Sequence, residues 1–104
     1  MAKRFYITLG ATTSAGGSVT AATSLLALDG IHAALEGDPV ACPACDSTGR
    51  IAPDGARLPV REHGRLYALE GDLCLCGCDP APRLVAIQRL AAQDSGAPTT
   101  PTLP

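Results

Sequence analysis

Ala34-Leu35-Glu36-Gly37-Asp38-Pro39-Val40-Ala41-Cys42 returns 34 residues later as Ala68-Leu69-Glu70-Gly71-Asp72-Leu73-Cys74-Leu75-Cys76. The first five positions are identical, and in both copies Gly-Asp is followed by three residues and then a cysteine. Chance explains such a match poorly, even in a chain rich in Ala, Leu and Gly. A period of this length marks one supersecondary unit copied and packed on its copies. The register continues upstream: Gly30 lies over Gly64, and Gly17-Ser18-Val19 faces Gly49-Arg50-Ile51 with a two-residue slip. A weaker third copy, lacking both Asp and Cys, sits at Leu9-Gly10-Ala11.

The rest of the chain is thin in core-forming side chains. Its 104 residues suffice for one small domain. Aromatic residues make up 3% (Phe5, Tyr6 and Tyr67), and the apolar fraction of 46% is carried largely by Ala. Folding at this size hides only about two-thirds of the unfolded surface, so the chain needs a metal, cross-links or a partner. Lys plus Arg total 8 against 10 for Asp plus Glu, a formal charge of −2. That balance argues against a nucleic-acid partner, because phosphate backbones select basic surfaces. No apolar run approaches the ~20 residues of a membrane span, and the start carries no signal-peptide pattern. The expected place of synthesis and residence is the cytoplasm.

Short apolar stretches alternate with turns, the rhythm of an all-β domain. Lys3–Leu9, closed by Gly10, reads as a first strand, and Thr12–Gly17 as a small polar loop. Asp29-Gly30 and Asp54-Gly55 are two-residue turn signals. Val19–Leu28 is compatible with helix or extended chain, and Leu84–Ala92 with a last strand or a short helix. Residues 1–93 are read as one domain. Residues 94–104, rich in Thr and Pro, are read as a disordered tail.

Each repeat ends in a cysteine pair, Cys42-Pro43-Ala44-Cys45 and Cys76-Gly77-Cys78. A C-x-x-C turn lets two thiolates converge on one tetrahedral ion at about 2.3 Å each, and a C-x-C turn with Gly at its centre does likewise. Four thiolates around one Zn²⁺ leave no open position, so the ion would be structural. Its contribution, on the order of 10 kcal/mol, matches the net stability of a whole small domain. Cys74 is the fifth thiol: on an extended strand it shares a face with Cys76 and Cys78, which makes it a reserve ligand, although a small buried apolar role fits it better. His63, between the two pairs, is the second reserve; His32 and His63 both read as solvated residues beside turn glycines. A thioredoxin-like redox pair at Cys42 and Cys45 is disfavoured, because Asp46-Ser47-Thr48-Gly49 follows rather than a helix. A rubredoxin-like iron site is disfavoured by the single C-x-x-C.

Asp38 and Asp72 hold the same place in both repeats, which points to turn fixing through Asx-type hydrogen bonds rather than to an acid–base pair. No nucleophile triad, phosphate loop or H-E-x-x-H pattern occurs, so the chain is not read as an enzyme and no catalytic residue is assigned.

Gly16-Gly17-Ser18-Val19, Asp29-Gly30 with Ala33-Ala34, Gly37-Asp38-Pro39-Val40 with Cys42-Pro43, and Gly71-Asp72 with Cys76-Gly77 together resemble PAAR-repeat proteins, over roughly residues 3–87. The resemblance implies a small cone of short β-hairpins with pseudo-threefold repeats and a zinc ion near its point. It also implies that the base of the cone sits as a monomer on the trimeric valine–glycine-repeat (VgrG) spike of the type VI secretion system. The expected function is that of a tip which sharpens the spike for membrane puncture, contacts the target membrane transiently and carries an effector or its adaptor. From the cytoplasm it would be delivered outside the cell or into a target cell. Phe5–Leu9 and Leu84–Ile87 are expected near the base. The resemblance carries over Cys45 and Cys76 by position, whereas Cys42 and Cys78 rest on spacing. The chain departs from the family pattern at Ala15 and Cys45, where many members carry His. The alternative from another class is a small zinc-ribbon binding module.

Overall fold

A computed structural model describes residues 3–55 and 57–94 of the chain. Among them there is no α-helix; the structure is built of β1 (Lys3–Phe5), β2 (Thr12–Thr13), β3 (Ser18–Val19), β4 (Ala27–Leu28), β5 (Ile31–His32), β6 (Pro39–Cys42), β7 (Ser47–Ala52), β8 (Arg61–Glu62), β9 (Arg65–Leu66), β10 (Leu73–Leu75), β11 (Leu84–Val85) and β12 (Ala92–Asp94). Both ambiguous segments are therefore extended or irregular. Val19–Leu28 runs from the end of β3 to β4, and Leu84–Ala92 from β11 to the start of β12. Asp94, read as the first residue of the tail, ends β12, and 95–104 lie outside the described residues.

Six strands form one antiparallel sheet in the order β10-β7-β6-β3-β2-β11. A bridge between Leu73 and Arg83 joins its two ends, so the sheet closes on itself. Closure removes the unpaired edges that an open sheet of such short strands would expose. Three hairpin units supply the strands: β2–β3, β6–β7 and β10–β11. Between them the chain turns across the wide end of the ring, where Ile7 N–H donates to Ala68 O (3.0 Å), Ala68 N–H to Ala34 O (3.0 Å) and Ala34 N–H to Ile7 O (2.8 Å). These three bonds form a triangle about a pseudo-threefold axis.

Each side of the triangle ends in the same turn. Ala11 N–H donates to Thr8 O, Asp38 N–H to Leu35 O and Asp72 N–H to Leu69 O. Gly10, Gly37 and Gly71 supply the left-handed residue of that turn, with φ of 86°, 86° and 92°. Leu9-Gly10-Ala11 is thus a full third copy, with Ala11 where the others carry Asp. Ile7, Ala34 and Ala68 face the main core together with Val19, Val40, Ile51, Cys74 and Leu84. By strand alternation Thr8, Leu35 and Leu69 lie on the opposite face of the triangle, and all three are buried.

Outside the ring sit three two-stranded ribbons, β4–β5, β8–β9 and β1–β12. The first two are closed by Asp29-Gly30 and His63-Gly64, with positive φ at both central residues of each, the type I′ hairpin geometry. The third pairs the two ends of the described chain, Lys3 with Asp94. It stands where the other copies have a hairpin turn.

Asp38 and Asp72 anchor this frame by more than the expected Asx turns. Each carboxylate reaches back three residues, to Leu35 N–H and Leu69 N–H respectively, both at 2.8 Å. Asp38 also accepts from Thr23 N–H, the Thr23 hydroxyl and Arg65. Asp72 accepts from Asp54 N–H, Arg4 and, in a fork, Arg57. Arg65 and Arg4 are equivalent residues: each also donates to the carbonyl two residues before its Asp, Glu36 and Glu70. In the first copy both members of the pair are apolar at once, Ala11 and Ile31. Losing only one would leave a buried charge without its partner.

Candidate metal centre

Strand β6 carries the chain away from the triangle to Cys42, and β7 returns from Ser47. A single 3₁₀ turn, Pro43–Cys45, joins them, with Pro43 fixing its first residue and Asp46 leaving it in the left-handed region at φ 50°. β10 makes the equivalent ascent to Leu75, and Cys76-Gly77-Cys78 follows beside the Pro43–Cys45 turn. The two hairpin ends bring the Sγ atoms of Cys42, Cys45, Cys76 and Cys78 to within 4.8 Å of one another. Cys42 Sγ and Cys78 Sγ are 3.7 Å apart. Zn–S bonds of about 2.3 Å place the sulfurs of a tetrahedral site about 3.8 Å apart. The four thiols are able to hold a metal ion, and the donor set suits a soft or borderline one.

Neighbouring groups orient one of these sulfurs. The Ser47 hydroxyl lies 2.9 Å from Cys45 Sγ, and Gly77 N–H donates to the same sulfur at 3.2 Å. These bonds, the serine's first, hold the Cys45 thiol down at about 6. Cys45 therefore presents a thiolate at neutral pH. Its hydrogen bond to Cys42 pushes the Cys78 thiol up to about 12. Cys78 therefore keeps its proton until a cation compensates the charge.

The other sequence candidates lie outside this group. Cys74 pairs with Ile51 in the β10–β7 ladder and is fully buried, one repeat on from Val40, whose core place it takes. Burial pushes its thiol up to about 12. It is a packed apolar residue, in contact range of the position a Cβ on Gly49 would occupy. His63 closes the β8–β9 turn, exposed, with Nε2 3.6 Å from Glu62. The imidazole Nδ1 of His32 lies 2.8 Å from Ser24 O on the β4–β5 side.

The repeat places Ala15 in register with Cys42 and Cys76, so the first hairpin brings no thiol to the cluster. Its end is held instead by the buried Thr13, whose Oγ1 accepts from Ala15 N–H (3.2 Å) and Gly17 N–H (2.9 Å). Sequence reasoning did not single out Thr13, Ser47 or the arginines on Asp72; only Thr13's register with Val40 and Cys74 could have pointed to it.

No curated protein matches the chain. The family model described as the PAAR motif matches residues 9–80, a span that opens in the first turn copy and ends just past the last cysteine. A closed β-ring with three turn copies and a four-thiol cluster at one end is in keeping with that match, and the chain belongs to the PAAR-motif family.

Proposed function

We propose that this chain is the tip of a type VI secretion spike, a metal-stiffened point seated by its wide end on a trimeric VgrG-type platform. The observation that carries the reading is the gathering of four thiols from two hairpins at the narrow end of a pseudo-threefold ring. Cys42, Cys45, Cys76 and Cys78 would hold one Zn²⁺, which supplies charge compensation and four strong bonds where small residues leave little to pack. The role is mechanical. A ring without free edges resists shear, and a clamp at its end keeps two of the three hairpins from splaying under load.

Pseudo-threefold backbone symmetry in a single chain supports a trimeric partner, because one monomer then meets three equivalent subunits with three similar surfaces. In this reading the protein is loaded in the cytoplasm, leaves the cell with the spike, crosses the target membrane and carries an effector or its adaptor. The test combines metal analysis with capture by a purified spike trimer on one sample. One zinc per chain and a stoichiometry of one chain per trimer are expected. A metal-free, folded protein that ignores the trimer would overturn the proposal.

A further inference from the structure

The pseudo-threefold reaches beyond the ring into the loops that lead to the outer ribbons. Leu25, Leu58 and Leu90 follow the equivalent core residues Val19, Ile51 and Leu84 by six, seven and six residues. Each stands just ahead of an outer strand, β4, β8 or β12. Two of them are tied down in the same way. Leu25 N–H donates to Glu62 Oε2 at 2.6 Å and Leu58 N–H to Gln93 Oε1 at 2.8 Å. Glu62 and Gln93 occupy the same register on β8 and β12, opposite Arg65 and Arg4. The third copy has Leu28 at that register, which offers no side-chain acceptor, and Leu90 N–H turns to Gln88 Oε1 instead.

All three side chains face solvent, with exposures of 79%, 43% and 67% for Leu25, Leu58 and Leu90. Scattered exposed leucines need no explanation. Here the same residue recurs at three related places, whereas the residue before it is Ser24, Arg57 or Arg89 and the one after it differs in all three copies, Leu26, Pro59 and Ala91. Glu62, which holds Leu25, also accepts the Tyr67 hydroxyl at 2.8 Å. Tyr67 bridges Leu35 beside the backbone triangle, so Leu25 lies at that end of the ring, and the pseudo-threefold carries Leu58 and Leu90 to the same level.

We infer that Leu25, Leu58 and Leu90 form a tripod through which the wide end seats on a protein face of threefold rotational symmetry, each leucine entering an apolar pocket of a different subunit. This assignment rests on the spike-tip reading and adds the residues that make the contact. Three equivalent feet suit a trimer end better than any single-copy partner, since a lone subunit has one pocket to offer and a trimer has three in matching register.

The test measures binding of the full-length, zinc-loaded chain to the purified VgrG-type trimer. Leu25→Ser, Leu58→Ser and Leu90→Ser should each weaken binding about tenfold, the loss of one well-buried aliphatic contact. The triple variant should lose measurable binding while keeping its zinc and its melting temperature. Leu75→Ser is the control, an equally exposed leucine (54%) on β10 outside the tripod, and should bind as the parent does. A triple variant that binds normally sinks the tripod and leaves the spike-tip reading standing. A Leu75→Ser effect as large as the others replaces the tripod with general apolar adhesion. A parent chain that fails to bind the trimer overturns both. Should the triple variant not fold, a photo-crosslinking residue at position 25, 58 or 90 must join the chain to the trimer, and none doing so refutes the contact.

Discussion

Asp72→Ala is expected to be among the most damaging single substitutions away from the cysteines. The Asp72 side chain is fully buried and accepts from Leu69 N–H, Asp54 N–H, Arg4 and both terminal nitrogens of Arg57. Alanine strands two backbone donors, at about 1–3 kcal/mol for each one left buried, and two guanidiniums packed for an anion. Breaking one side of a buried pair costs about 3–5 kcal/mol in total, a large part of the stability of a small domain. The assay is urea denaturation at fixed free zinc, since bound metal adds to apparent stability by mass action. Near-ultraviolet circular dichroism of the Tyr6–Tyr67 edge-to-face pair, 5.6 Å between centroids, reports on the wide end. The first copy supplies the internal comparison, because Ala11 and Ile31 replace both members of the pair. Adding Arg4→Ile to Asp72→Ala removes one of the two stranded guanidiniums, leaving that of Arg57, and should recover about 1–3 kcal/mol through coupling of neighbouring sites. A loss below about 1 kcal/mol, the range of exposed ion pairs, or no recovery in the double variant, refutes the account of this frame as held by buried pairs.

Cys42→Ser and Cys76→Ser should each release the metal, read by zinc analysis and a thermal melt, whereas Cys74→Ser keeps it and loses about 1–3 kcal/mol for a hydroxyl in an apolar place. Gly49→Ala puts a Cβ 2.6 Å from Leu75 O and 2.8 Å from Cys74 Sγ; the cost, about 1–3 kcal/mol for overpacking, should appear as a lower Tm, and an unchanged Tm contradicts the close strand approach. The Tyr67 hydroxyl, and then Leu25 N–H, hold the Glu62 carboxyl below its ordinary range. Its stabilisation is therefore full above the unfolded value and lost as pH falls through the folded one, so the Tm gap between parent and Glu62→Gln should close on acidification. A circular permutant that joins Asp94 to Lys3 through Asn-Gly and opens between His63 and Gly64 should fold and bind zinc, checked by circular dichroism and metal analysis. Failure to fold would mean that the β1–β12 ribbon is not equivalent to the other two.

What could be read from the sequence follows from which positions the frame leaves free to drift. The turn Gly-Asp and the cysteine after it repeat because each answers a local demand: a left-handed φ at Gly37 and Gly71, a carboxylate for the turn N–H, a thiol at the narrow end. Those demands made two copies and the four-cysteine cluster legible. The first copy was faint for a physical reason: once Ile31 takes the place of Arg65 and Arg4, a carboxylate at position 11 would have no cation, and Ala fills the buried space at no electrostatic cost. Strands of two or three residues such as β3 and β11 give no window in which period 2 can be told from period 3.6, so Val19–Leu28 and Leu84–Ala92 stayed undecided. The β1–β12 ribbon was hidden because its partners are the two ends of the described chain, and no turn signal lies between them. His63 drew notice as a reserve ligand through its place between the cysteine pairs, yet its register with Asp29, one residue before a matched glycine, already marked it as the first residue of a type I′ turn. Repeat register decides these positions better than spacing to the nearest cysteine does: it puts Cys74 with Val40 in the core, His63 with Asp29 in a turn, and Ala15 with Cys42 and Cys76, whose thiol it lacks.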